Sequence, residues 1–145
     1  MTHFSRALGI NSAIGSKYRP RPEEVIISEI IGDFAGKKTA IIIDDIISGG
    51  GTVHALIEKL VDEKGIQDVY LGASHNLCVE GARERLTELH ERYNLREVVV
   101  TNSIPQTEEF LSLPFVSVRC LSDALARAIN RIHYEHSVSE VFYRP

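Results

Sequence analysis

Asp44 and Asp45 close an apolar run, Thr39 to Asp44, and the chain then passes through Ser48 into three consecutive glycines, Gly49, Gly50 and Gly51, ending at Thr52. Glycines let backbone N–H groups approach an anion closely, and free N–H groups at a helix start present the favourable end of its dipole. A phosphate fits that turn, with Ser48 and Thr52 adding hydroxyl donors. Two carboxylates would repel a phosphate at close range and need a different partner: they accept hydrogen bonds from a vicinal diol or hold Mg²⁺. Together these groups describe a pentose phosphate. The plainer reading is a tight strand-to-helix connection with no ligand. It carries about even weight for a lone glycine-rich turn and less once two acids precede it. The Lys-Ser/Thr of a Walker A loop is absent, and the three adjacent glycines do not fit the spacing of a dinucleotide fingerprint.

The densest basic stretch, Lys17, Tyr18, Arg19, Pro20 and Arg21, reads as a nucleic-acid patch, a solvated loop or an anion clamp in an active site. Sixteen Lys and Arg against twenty Asp and Glu give a net charge of −4. That is the wrong sign for affinity built on neutralising nucleic-acid phosphates, so no nucleic-acid partner is expected. His75 and Cys78 follow a strand candidate, but the sequence marks no group to orient them, and a Cys-His hydrolase is a weak reading. Cys78 and Cys120 are too few for a disulfide framework or a four-ligand zinc site, and two free thiols suit a reducing cytosol.

These residues must be positioned by a fold, and the chain shows alternation. Thr39 to Asp44 reads as a strand buried on both faces. Val53, Leu56, Ile57, Leu60 and Val61 then recur at helical spacing, with Gly65 as a stop. Asp68 to Ser74 is the next strand. A charged helix follows, marked by Ala82, Leu86, Leu89 and Tyr93. Val98 to Thr101 and Phe115 to Val118 are further strands, and Leu121, Leu125, Ala128, Ile129 and Ile132 give the stripe of a final helix. Strands separated by helices predict βαβ units, hence an α/β fold with a parallel sheet flanked by helices. The first 35 residues are less regular: a helix at Phe4 to Leu8, a short strand at Ser12 to Ile14, and a half-exposed strand at Glu24 to Ile31.

At 145 residues, 43% hydrophobic and 25% charged, the chain reads as one globular domain over 1–145. No apolar run is long enough to span a bilayer and the N-terminus lacks the pattern of a signal peptide, so a cytoplasmic protein without a membrane partner is expected.

The acid pair and glycine turn resemble the phosphoribosyl pyrophosphate (PRPP) loop of type I phosphoribosyltransferases. They resemble more closely the ribose-5-phosphate loop of ribose-phosphate pyrophosphokinases, the PRPP synthases. The resemblance runs along almost the whole chain. Ala13 to Pro22 is similar to the synthases' catalytic flexible loop, and Ile31 to Asp33 with Gly36 and Lys37 to the segment leading into the loop strand. Ser74 and His75 match a Thr-His pair, while Thr101 to Pro105, Ala128 to His133 and Ser137 to Ser139 match in order. The resemblance implies a type I phosphoribosyltransferase-like fold and transfer of the β,γ-diphosphoryl group of Mg-ATP to the C1 hydroxyl of ribose 5-phosphate. It implies further that Ser48, Gly49, Gly50, Gly51 and Thr52 cradle the 5-phosphate and that Asp44 and Asp45 hold the ribose hydroxyls with Mg²⁺ nearby. Lys17 and Arg19 fall on the family's catalytic Lys and Arg, which neutralise charge on the transferred phosphoryl oxygens. From sequence alone, a solvated charge run is the plainer reading of those two.

The chain also departs from the pattern. Ser16 and Tyr18 stand where the family usually has Asp and Arg, Ser48 replaces a loop Asp, and Gly49 replaces a loop Thr, which leaves one fewer acceptor for the sugar. The resemblance covers only the C-terminal half of a synthase and begins after the strand that normally opens that half. ATP binding is then expected only with an N-terminal half or partner, catalysis by this polypeptide alone is not expected, and an open sheet edge would favour a homo- or hetero-oligomer. Two further readings stay open: a phosphoribosyltransferase that consumes PRPP, and a non-catalytic regulatory or assembly subunit.

Overall fold

The computed structural model describes residues 2–21 and 24–142, without the side chains of 2–3, 19–21, 24–25, 140 and 142. After a short helix, α1 (Thr2–Leu8), strands β1 (Ile14–Arg21) and β2 (Glu24–Ile31) form an antiparallel ribbon. A parallel sheet follows, built from β3 (Thr39–Ile47), β4 (Asp68–Asn76), β5 (Leu95–Thr101) and β6 (Val116–Arg119) in that spatial order. Helices α2 (Gly51–Lys64) and α3 (Ala82–Arg92) form the crossovers, α4 (Glu108–Leu111) leads into β6, and α5 (Ser122–His133) and α6 (Ser139–Phe142) complete the described chain. This is the α/β class with a parallel sheet flanked by helices.

The core lies on one face of the sheet. Ile42, Leu71 and Val98 stand side by side across three strands, as do Ala73 and Val100 on β4 and β5. All are buried against Val53, Ile57 and Leu60 of α2 and Leu86 and Leu89 of α3. Gly65 ends α2 in the left-handed conformation, its N–H bonded to the Leu60 carbonyl, as the sequence stop signal predicts.

Four elements differ from expectation. β3 is not buried on both faces: Ile42 and Ile47 are buried, while Ile41 and Ile43 are 54% and 40% exposed. The reason is that α2 and α3 cover one face only. The apolar stripe of α5 does not close over the other, since none of its residues is buried and Leu125, Ile129 and Ile132 are exposed. Of the short strand expected at Ser12 to Ile14 only Ile14 is in a strand, as the first residue of β1, and the basic stretch expected as a loop is the body of that strand. The four-residue α4 carries no helical periodicity in sequence; Thr107 caps it by accepting from the Phe110 N–H, and Phe110 is buried beneath.

β3 is the outer strand of the described sheet, with an unpaired backbone edge. A cleft of about 520 Å³ runs beside it, lined by Phe4, Leu8, Ile10, Ile41 and Leu56 among others.

Candidate functional site

The site is assembled at the carboxyl end of β3, where parallel α/β sheets place their ligands. Asp44 sits in register with Ala73 of β4 and shares the face of Ile42, so its carboxyl emerges at the rim of the core. Asp44 is half-buried and Asp45 exposed. An Asp44 carboxylate oxygen accepts from the Asp45 N–H at 2.9 Å. Burial holds the Asp44 carboxyl above its ordinary range; the Asp45 N–H opposes this, the Asp45 carboxyl adds to it, and the charge of Lys17 opposes it again.

Past Ile47 the backbone turns through Ser48 and Gly49 to Gly50, which caps α2 at φ +76°. That conformation belongs to glycine, because any Cβ there meets the following carbonyl. No side chain caps the helix. Gly50 supplies the first helical carbonyl, to the His54 N–H at 2.9 Å, and the N–H groups of the first turn have no acceptor within the helix. The turn therefore presents unspent donors and the positive end of a 14-residue helix dipole beside two carboxylates. Of the residues the sequence singles out, the structure brings together Asp44, Asp45, Ser48, Gly49, Gly50, Gly51 and Thr52 in one strand-turn-helix unit.

From the ribbon, the charge of Lys17 bears on Asp44 as the smallest of the influences on its carboxyl. The ribbon is fixed by a bulge: Ser16 pairs with Glu29 and Lys17 with Ile27, so Ser28 is skipped. Lys59 of α2 satisfies the carbonyls this exposes, donating from Nζ to Ile27 O at 2.9 Å and Ser28 O at 3.3 Å, and Ser28 Oγ donates to Ser16 O at 3.0 Å. Lys17 is exposed. Arg19 lies on the same strand, with its side chain outside the described residues.

Asp44 and Asp45 fit a magnesium ion only as part of a shared shell. Among the described residues no third His, Cys, Asp or Glu joins them to form a metal-binding group. Mg²⁺ is commonly held by one or two carboxylates together with substrate oxygens and waters, and an adjacent pair at an open rim meets that requirement.

His75 and Cys78 are each oriented, contrary to expectation, but by different partners. His75 Nδ1 lies 2.7 Å from Ser103 Oγ, and Ser103 Oγ donates to Ser74 O at 3.0 Å. Cys78 bonds instead to Gln106 Oε1, within a network around the fully buried Asn76. With the thiol and the imidazole tied to separate partners, the hydrolase reading loses its geometry.

Sequence reading missed Arg85. It belongs to a charged, solvated helix face, and nothing in its sequence context separates it from Arg83. In the fold, its guanidinium Nη1 donates to the carbonyl of Gly49.

No described helix is long and apolar enough to cross a membrane. The family of the phosphoribosyl synthetase-associated domain matches residues 14–143. The chain is 38% identical over 140 residues to a ribose-phosphate pyrophosphokinase of Caldanaerobacter subterraneus, covering 97% of this chain and 42% of that protein. It is 40% identical over 130 residues to that of Pasteurella multocida, covering 90% and 39%. The structure superposes on phosphoribosylpyrophosphate synthetase from Mycobacterium smegmatis with a TM-score of 0.67 at 27% identity, over 92% of this chain and 40% of that one. The chain thus spans about two fifths of the length of the relatives it matches. With the fold, the acid pair and the glycine turn in agreement, the chain belongs to the phosphoribosyl synthetase-associated domain family.

Proposed function

We propose that this chain is the ribose-5-phosphate-binding or PRPP-binding part of a ribose-phosphate pyrophosphokinase-like protein, and that it makes no PRPP alone. The observation that carries the reading is the uncapped start of α2, opened by Gly50 in a left-handed turn just past the strand that carries Asp44 and Asp45. The turn receives the 5-phosphate on the N–H groups of its first helical residues, with Ser48 and Thr52 as hydroxyl donors. Asp44 and Asp45 accept hydrogen bonds from the ribose hydroxyls. Magnesium, when bound, supplies charge neutralisation between these carboxylates and the substrate oxygens.

In the complete enzyme the C1 hydroxyl oxygen bonds to the β-phosphorus of ATP, the bond from that phosphorus to the α,β-bridging oxygen breaks, AMP leaves and the hydroxyl proton is released. Lys17 and Arg19 are proposed to offset charge on the transferred phosphoryl oxygens. The ATP-binding surface comes from another polypeptide or segment, in keeping with the share of its relatives' length that this chain spans. The setting proposed is the cytoplasm.

An assembly role is supported by a separate observation. The accessible surface is 9838 Å² for 16.2 kDa, whereas a folded monomer of that mass exposes about 7,500 Å². The excess is of the order that an obligate interface removes. It is apolar in part, including Ile41, Ile43, Tyr70, Ile129 and Ile132.

The test is to supply the purified chain with ribose 5-phosphate and Mg-ATP, assaying AMP release and ligand binding in parallel. Binding without AMP release is expected. AMP release by the chain alone would overturn the inactive reading, and absence of binding would overturn the sugar-phosphate reading.

A further inference from the structure

The glycine turn is held from outside by Arg85. This side chain leaves α3 and runs along the turn: Gly50 lies against its Cβ and Cδ, at 3.7 and 3.8 Å from the position a Gly50 Cβ would take. Its Nη1 then donates to the Gly49 carbonyl. A Cβ at Gly49 would lie 3.1 Å from that nitrogen, and one at Gly81 3.5 Å from it. Glycine at 49 therefore has a second task besides any approach to a ligand, since a Cβ there would crowd this guanidinium, whereas one at 50 or 81 would make only ordinary contact with the Arg85 side chain. Arg85 makes no ion pair among the described residues, so its charge is not cancelled by a carboxylate and acts on the turn.

The consequence follows from the geometry of a peptide group. All peptide bonds described are trans, and in a trans peptide the C=O of one residue and the N–H of the next point in opposite directions. Fixing the Gly49 carbonyl toward Arg85 fixes the Gly50 N–H away from it. Both flanking residues are glycine, so this peptide would otherwise flip at little steric cost. We infer that Arg85 is a positioning residue of the phosphate site: by pinning the Gly49 carbonyl it sets the Gly50 N–H as an anion donor and adds a positive charge behind the turn. This rests on the sugar-phosphate reading of the loop and deepens it.

Three proteins test it: the full chain, Arg85→Met and Arg85→Lys. Each is titrated calorimetrically with ribose 5-phosphate, its unfolding temperature is measured, and the Gly50 amide is followed by NMR without ligand. Arg85→Met is expected to weaken binding by roughly tenfold to a hundredfold, the worth of a hydrogen bond to a charged group. The unfolding temperature stays where it was, because Arg85 is exposed. Arg85→Lys recovers part of the affinity, since it keeps the charge but loses the planar fork. The Gly50 amide shifts and exchanges faster in Arg85→Met. Wild-type affinity in Arg85→Met, or loss of affinity matched by loss of stability with no rescue by Lys, would overturn the inference. If the wild-type chain binds no ribose 5-phosphate, the sugar-phosphate reading fails instead. The Gly50 amide comparison then still decides whether Arg85 pins the turn, and an unchanged amide would overturn the pinning itself.

Discussion

Lys17, on the antiparallel ribbon, acts electrostatically on Asp44, in the C-terminal half of the first strand of the parallel sheet, and partly offsets the burial that raises the Asp44 carboxyl. The relationship couples two pieces of chain that share no hydrogen-bonded strand ladder. Replacing Lys17 by Met is expected to raise the Asp44 titration midpoint further, read from its side-chain carboxyl resonance across an acid titration. An unchanged or lowered midpoint would show that the ribbon does not hold Lys17 over the acid pair.

Asp44 also ties the site to stability. Its carboxyl is raised above the ordinary 3.8, by burial first. The folded state therefore binds the proton more tightly than the unfolded state. The stabilisation this gives is complete below pH 3.8 and is lost as pH rises through the folded-state value. At neutral pH the ionised carboxylate burdens the fold. Asp44→Asn is expected to raise the unfolding temperature at pH 7 by about 2 °C, with the gain vanishing as the pH falls toward the ordinary value. The same variant should lose ribose 5-phosphate binding. Destabilisation at pH 7 would contradict the assigned cause of the shift.

The ribbon depends on Lys59. Its ammonium serves two carbonyls at the bulge, Ile27 O and Ser28 O, while its bridge to Glu63 at 3.7 Å is on the surface and worth little. Lys59→Met is expected to cost about 1–3 kcal/mol by leaving those carbonyls unpaired, and Glu63→Gln to cost less than about 0.5 kcal/mol. Chemical denaturation of the two variants compares them directly. Equal small effects would mean that solvent serves the bulge as well as Lys59 does.

The open apolar surface predicts association. Light scattering should give a mass above the 16.2 kDa of one chain, and Ile129→Glu, placed in the exposed stripe of α5, should lower it without lowering helix content. A monomeric wild-type chain with unchanged behaviour in Ile129→Glu would leave the α5 stripe with no role in assembly.

Much of the site is legible in sequence because it is local. Asp44 through Thr52 form a continuous strand-turn-helix unit whose residue types carry their own conformational demands, down to the stop at Gly65. Lys17 is harder to place. The stretch Ile14 to Arg21 has no apolar alternation, and its strand character comes from backbone pairing with β2 across a bulge. Arg85 is invisible for a different reason: only the packing of α3 against the start of α2 gives this one arginine a carbonyl to hold. Ile41 and Ile43 misled in the opposite direction. Their apolar character fits a strand covered on both sides, whereas the described fold covers one.

The most direct test of the account is a calorimetric titration of ribose 5-phosphate, with Mg²⁺ present, into the wild-type chain and into the Asp44→Ala, Asp45→Ala double variant. The account expects saturable one-site binding by the wild type and its loss in the double variant. Equal binding by both proteins, or none by the wild type, would contradict it.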